Sequence, residues 1–190
     1  MWSENDLRMG ADEIIILGEW DIHSLPEYFR LFKSGVKEVS SLEKWQSPHE
    51  DSFKLNFNRA SKGNLGPAGF GGVIKDRYGS IKMVLWGYIG ETTNNVAELE
   101  GLIEGTRWAL KRQLTPLIIE GDSKLIISMS ERTQKGSIGT RAGRNWRLEA
   151  RLGKLESLLK YTLTIIFIHV KHEANKLANL LANHGVQSRT

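Results

Sequence analysis

Apolar and polar residues alternate from Phe53 onward: Phe53, Leu55 and Phe57 are separated by Lys54, Asn56 and Asn58. A period of two belongs to a strand with one apolar and one polar face. Ser61 to Gly66 carries turn chemistry. Gly69–Lys75 and Ser80–Gly87 read as two further strands, joined at Asp76-Arg77-Tyr78-Gly79. The period then changes to that of a helix, with Leu99, Leu102, Ile103 and Leu110 on one stripe and Thr93 or Asn94 placed to cap it. Leu117–Glu120 is a short buried strand. Asp122-Ser123 stands where that strand passes into a helix bearing Leu125, Ile126 and Met129. Arg132–Asn145 reads as a Gly-, Ser- and Arg-rich loop. Leu148, Leu152, Leu155 and Leu159 mark another helix, and Thr162–Val170 a strand rich in β-branched residues. Glu173–Asn183 is a last helix, with Gly185 as its stop. The order βββαβα, then αβα, predicts an α/β domain with a mixed sheet.

The preceding residues are different in kind. Glu13–Trp20 holds one short apolar run. Ser24 before Leu25-Pro26-Glu27 predicts a helix start, and Gly35 its end. Ser40 to Asp51 is a polar linker. The expected organisation is therefore an acidic extension and linker over 1–52 and a domain over 53–190. Charge sharpens this division. Residues 1–52 carry 5 Lys/Arg against 11 Asp/Glu, a net of −6, whereas residues 53–190 carry 21 against 11, a net of +10. A basic body points toward a polyanion, of which nucleic acid is the commonest.

Cysteine is absent, which excludes disulfides, thiolate metal sites and a cysteine nucleophile. The longest strongly apolar run, Leu163–Val170, contains His169 and is too short to span a bilayer. The N-terminus lacks a basic-then-apolar signal layout. The expectation is a nuclear or cytoplasmic protein, neither secreted nor membrane-bound.

Four stretches carry candidate chemistry: NFNRASKGNLGPAGFGG (56–72), TTNNVAELEGLIEG (92–105), IEGDSKLI (119–126) and HVKHEANKLANLLA (169–182). In this order and spacing the chain resembles the ribonuclease H family, in particular the plant type found alone or at the ends of retroelement reverse transcriptases. The resemblance implies a five-stranded mixed sheet, three antiparallel strands then two parallel, flanked by helices. It also implies cleavage of the RNA strand of an RNA/DNA hybrid by two divalent metal ions held by four carboxylates. Carried onto this chain, those positions are Asn58, Glu98, Asp122 and Asn179, with Arg59 where the family has glycine. Two of the four carboxylates are amides.

Two dications about 4 Å apart repel by roughly 16 kcal/mol at an effective dielectric of about 20. Carboxylates must offset that, and Mg²⁺ as a hard cation prefers anionic oxygen. An amide oxygen can coordinate but brings no charge. The expected metal ligands are thus Glu98 and Asp122 alone, holding Mg²⁺ or Mn²⁺ weakly, as one ion or none. Arg59 adds a cation that can pair with Glu98, Asp122 or a substrate phosphate. His172, in the loop before the last helix, is either a proton-shuttling member of the catalytic set or an exposed histidine without a role.

The substrate-reading parts are better kept. Ser61, Gly63 and Asn64 belong to a turn whose backbone can approach a sugar–phosphate chain. By the resemblance Asn64 contacts the hybrid, and Asn94 and Asn95 read its minor groove; Asn94 can equally cap the helix. Ser123 can cap the next helix, whose N-terminus favours phosphate. Arg141 and Arg144 lie in the densest basic run, between Arg132 and Lys154, suited to phosphate contact. The expected partner is an RNA/DNA hybrid or duplex RNA, bound with cleavage impaired or absent. An active hybrid ribonuclease and a non-catalytic protein-interaction remnant of a reverse transcriptase are the alternatives.

Overall fold

The computed structural model describes residues 46–49, 51–137, 146–160 and 164–187, together with the backbone of residues 15–17. The strands are β1 (Ile15–Leu17), β2 (Phe53–Ser61), β3 (Gly66–Lys75), β4 (Ile81–Thr92), β5 (Leu117–Gly121) and β6 (Ile165–His169). The helices are α1 (Asn94–Lys111), α2 (Lys124–Gln134), α3 (Trp146–Leu159) and α4 (Lys176–Gln187), the last preceded by a 3₁₀ turn at His172–Ala174.

One mixed sheet runs β1-β4-β3-β2-β5-β6. The five strands expected from the sequence are present: β2, β3 and β4 antiparallel, then β5 and β6 parallel to β2. A sixth joins them at the edge, where β1, from the acidic segment, pairs antiparallel with β4 at Ile15↔Trp86 through Leu17↔Val84. The helix expected over Ser24–Gly35 lies outside the described residues.

Alternation along each strand divides the side chains between two layers. Leu55 and Phe57 of β2, Phe70 and Ile74 of β3, and Met83 and Leu85 of β4 join Leu99, Leu102 and Ile103 of α1 in the main core. Ile126, Ile127, Leu152, Leu155 and Phe167 extend that core under α2, α3 and β6. On the opposite face Val73, Val84 and Trp86 pack against Leu177 and Leu181 of α4.

The polar face of β2 is buried: Lys54, Asn56 and Asn58 are 4%, 1% and 2% exposed. Lys54 Nζ pairs with Glu120 Oε1 at 2.7 Å, and Asn56 Nδ2 donates to Glu120 Oε2 at 3.0 Å. Neighbouring β5 thus supplies the partner that makes burial tolerable. Helix α2 continues through Gln134 before Gly136 turns the chain with φ +68, so the expected loop starts later than Arg132. Gly185 does not stop the last helix; it lies within α4. A Cβ there would meet Gly87 O at 2.7 Å and Phe70 O at 3.0 Å, so glycine at this position lets helix and sheet backbones approach. Trp146 is 70% exposed. Among the described residues no helix is long and apolar enough to cross a membrane.

Candidate functional site

Strand β2 has an antiparallel neighbour on one side and a parallel one on the other, and its carboxyl end faces the same way as that of β5. Ligands in open α/β sheets gather outside the carboxyl ends of parallel strands, where the order changes direction. Asn58, Glu98 and Asp122 meet at this place.

Asn58 is buried, and its amide is turned in a definite sense. Oδ1 accepts the backbone N–H of Arg59 at 2.8 Å, while Nδ2 faces Asp122 Oδ2 at 3.4 Å. Asp122 Oδ2 also accepts from His172 Nδ1 at 2.7 Å, and the Asp122 carbonyl accepts from His169 Nε2 at 3.3 Å. His172 is therefore brought to the site, and His169 braces the loop beneath it. Glu98, on the buried face of α1, is 2% exposed. Arg59 Nε lies 3.4 Å from Glu98 Oε2, whereas Glu98 Oε1 is buried without a partner. Burial pushes the Glu98 carboxyl up to about 7; the Arg59 charge opposes the rise, and the charge and hydrogen bond of Asp122 add to it.

The fourth candidate position is Asn179. It lies in the first turn of α4, and its Oδ1 accepts from Asn183 Nδ2 at 3.1 Å. Asn183 escaped the sequence reading, although its i,i+4 spacing on a helix marks it as a neighbour. Asn175, just before α4, is fully buried and donates through Nδ2 to the Phe57 carbonyl at 2.7 Å. That bond fixes the start of α4 to β2, one residue from Asn58.

A pair of divalent ions does not fit these residues. The cluster holds two carboxylates; one is opposed by a guanidinium and the other faces two N–H donors. The amide at Asn58 turns its nitrogen, not its oxygen, toward Asp122. No group of three or more His, Cys, Asp or Glu able to hold a metal occurs among the described residues.

Beside the cluster, the turn after β2 is clasped to α1. Gly63 has φ +95, a conformation open to glycine. Ser61 Oγ–H donates to Gly63 O at 2.9 Å, and Asn94 Oδ1 lies close to the same hydroxyl. Thr93 and Asn94 were the expected caps of α1, but Thr93 makes no side-chain cap bond; Asn64 Oδ1 instead accepts the Asn94 N–H at 3.3 Å. A residue 30 positions earlier in the chain thus caps this helix. Asn95 follows, half-exposed, in the first turn of α1. Ser123 caps α2, its Oγ accepting Ile126 N–H at 3.4 Å.

The basic run is only partly present. Arg141 and Arg144 lie outside the described residues. Arg151 is ion-paired with Glu100 of α1 and braces α3. Arg147 stacks its guanidinium 5.4 Å from the ring of exposed Trp146. Arg132, Lys135 and Lys154 are exposed.

Comparison with known proteins places this fold. A family described as reverse transcriptase-like matches residues 56–185. A ribonuclease H from Pseudomonas putida is 32% identical over 143 residues, covering 72% of this chain and 94% of that protein. A protein from Arabidopsis thaliana named for ribonuclease H is 27% identical over 176 residues; the match covers 92% of this chain but only 27% of the plant protein. Among solved structures, ribonuclease H1 of Halobacterium salinarum superposes with a TM-score of 0.62 at 28% identity, over 73% of this chain and 99% of that one. LC11 ribonuclease H1, solved in complex with an RNA/DNA hybrid, gives 0.61 at 28% identity, over 72% of this chain and 97% of that one.

Proposed function

The chain belongs to the ribonuclease H family, and on that premise we propose that it binds RNA/DNA hybrid, or duplex RNA, with two-metal cleavage impaired or absent. The observation that carries this reading is the sense of the Asn58 amide, whose nitrogen faces Asp122 while its oxygen is taken by the Arg59 N–H. A cation arriving between Asn58 and Asp122 meets a donor where it needs an anionic acceptor. The elements suited to a sugar–phosphate backbone are kept beside it: the exposed Gly63-Asn64 turn, Asn94 and Asn95 on α1, and the α2 N-terminus at Ser123. Arg141 and Arg144 belong to the same proposal as phosphate contacts. Ser, Asn and backbone N–H groups at such a surface suit phosphate and the 2′-hydroxyl.

A second reading has one observation in its favour. Glu98 Oε1 is buried without a partner, and its lone pair is open to a single Mg²⁺ or Mn²⁺ shared with Asp122, which would support an active hybrid ribonuclease. Titrating a labelled hybrid by fluorescence anisotropy at several salt concentrations, and incubating the same hybrid with Mg²⁺ or Mn²⁺ under denaturing-gel readout, separates the two. Salt-dependent binding with the RNA strand left intact is the expected result. Brisk cleavage that disappears in Glu98→Gln would replace the first reading by the second.

A further inference from the structure

Resting on the hybrid-binding reading above, we propose that Arg59 is the resident cation of this site: it stands in for a divalent metal, holds Glu98, and presents its outer N–H groups to a nucleic-acid phosphate. Hybrid binding is then independent of Mg²⁺ and Mn²⁺.

Strand alternation sets the position. Lys54, Asn56 and Asn58 point to the Glu120 and Asp122 side of β2, so Arg59 shares the face of Leu55 and Phe57, which α1 covers. It therefore meets α1 where that helix carries Glu98, at 3.4 Å. The Arg59 Nε atom is shut off from water and makes no hydrogen bond, so it meets Glu98 as a charge across 3.4 Å, while the side chain as a whole is 37% exposed. The inner edge of the guanidinium thus faces the buried carboxylate, and its outer part reaches the surface.

Chemistry distinguishes this cation from a bound metal. A guanidinium carries five N–H donors on a planar fork and remains protonated at every working pH, so it can serve a carboxylate and a phosphate oxygen together. It is covalently part of the chain, so no chelator removes it. The two carboxylates left at the site contribute −2, and Arg59 halves that figure. An entering dication would have to part Arg59 from Glu98 and also displace the Asn58 amide N–H from Asp122. That entry is costly, because the guanidinium loses its carboxylate and the dication must shed water to reach a site whose acceptors already face N–H donors. The exposed part of Arg59 lies at the same sheet end as the Gly63-Asn64 turn that follows β2. A phosphodiester running over that turn is the anion within reach of the fork.

Two measurements on the full chain test this. In the first, a labelled RNA/DNA hybrid is titrated by anisotropy at fixed ionic strength, with EDTA or with millimolar Mg²⁺. The wild-type affinity should agree within about twofold between the two conditions, while Arg59→Gln should bind roughly tenfold more weakly in EDTA, the loss of one charge-assisted contact. Wild-type binding that collapses in EDTA and returns with Mg²⁺ would overturn the proposal and leave the hybrid-binding reading standing. In the second, Mn²⁺ uptake by the free protein is followed by electron paramagnetic resonance, with no nucleic acid present. Arg59→Gly should take up Mn²⁺ at concentrations at which the wild type takes up none, and Arg59→Gln serves where the glycine variant fails to fold. Equal uptake by wild type and variants would refute the resident cation even if no hybrid binds, an outcome that would separately end the functional reading.

Discussion

The amide nitrogen of Asn58 lies 3.4 Å from Asp122 Oδ2, across the β2–β5 pair and between residues 64 positions apart in the chain. Where a bridging carboxylate would draw cations in, this contact satisfies Asp122 with a donor from the protein itself. Asp122 is thereby partnered without metal, which is the physical basis of the impaired or absent cleavage proposed above.

Restoring the lost charges tests that basis directly. Asn58→Asp with Asn179→Asp returns the formal count to four carboxylates but leaves Arg59 beside Glu98. The triple variant that adds Arg59→Gly should cleave the RNA strand in Mg²⁺, and the double variant should be about tenfold slower or worse, a difference of about 1.4 kcal/mol in barrier. Gel-resolved cleavage of a labelled hybrid measures both. A triple variant as inert as the parent would place the defect elsewhere than in the ligands.

Glu98 imposes a pH dependence on folding. Its carboxyl rises from an ordinary 4.5 to about 7, chiefly through burial. The folded chain therefore binds more protons than the unfolded chain between these values. Stability falls as pH rises through that window, and the penalty is complete above about pH 7. Glu98→Gln removes the ionisation, so it should be more stable than the parent by about 1–3 kcal/mol at pH 8 and nearly equal at pH 4. Urea unfolding at the two pH values gives the comparison, and equal differences at both would show that Glu98 ionises freely.

The buried Lys54–Glu120 pair should behave as one unit. Lys54→Met takes the opposite charge from the Glu120 carboxylate, 6% exposed, and leaves it the neutral Asn56 N–H. The expected loss is about 3–5 kcal/mol. Adding Glu120→Gln keeps an oxygen for Asn56 and removes the orphan charge, so most of that loss should be recovered. Thermal or chemical denaturation of the two single variants and the double variant yields the coupling, and simple additivity would contradict it.

Close approach of α4 to the sheet depends on Gly185. In Gly185→Ala the new methyl would lie 2.7 Å from Gly87 O, a backbone atom with no rotamer to yield. Overpacking of this kind costs about 1–3 kcal/mol. The unfolding midpoint should drop accordingly, with hybrid binding retained where the fold persists.

Local pattern carried much of this in the sequence itself. The alternation at Phe53–Asn58, the stripe of Leu99, Leu102 and Ile103, and the leucines of 148–159 each specify an element, because period reports which face is buried. The motif spacing set Glu98 and Asp122 on a helix and at a strand end, and it singled out Asn58 and Asn179 as the other two positions to examine. Only the tertiary structure decided what each side chain meets. It showed that Lys54 and Asn56 are buried against Glu120, that Asn64 rather than Thr93 caps α1, that Arg151 is spent on Glu100, and that Asn179 turns to Asn183. It also joined Ile15–Leu17 to the edge of β4. The physical reason is common to all of these. A side chain's partner across a sheet or between helices is fixed by strand order and helix packing, which bring together residues tens of positions apart, whereas periodicity records only the residue's own half of the contact.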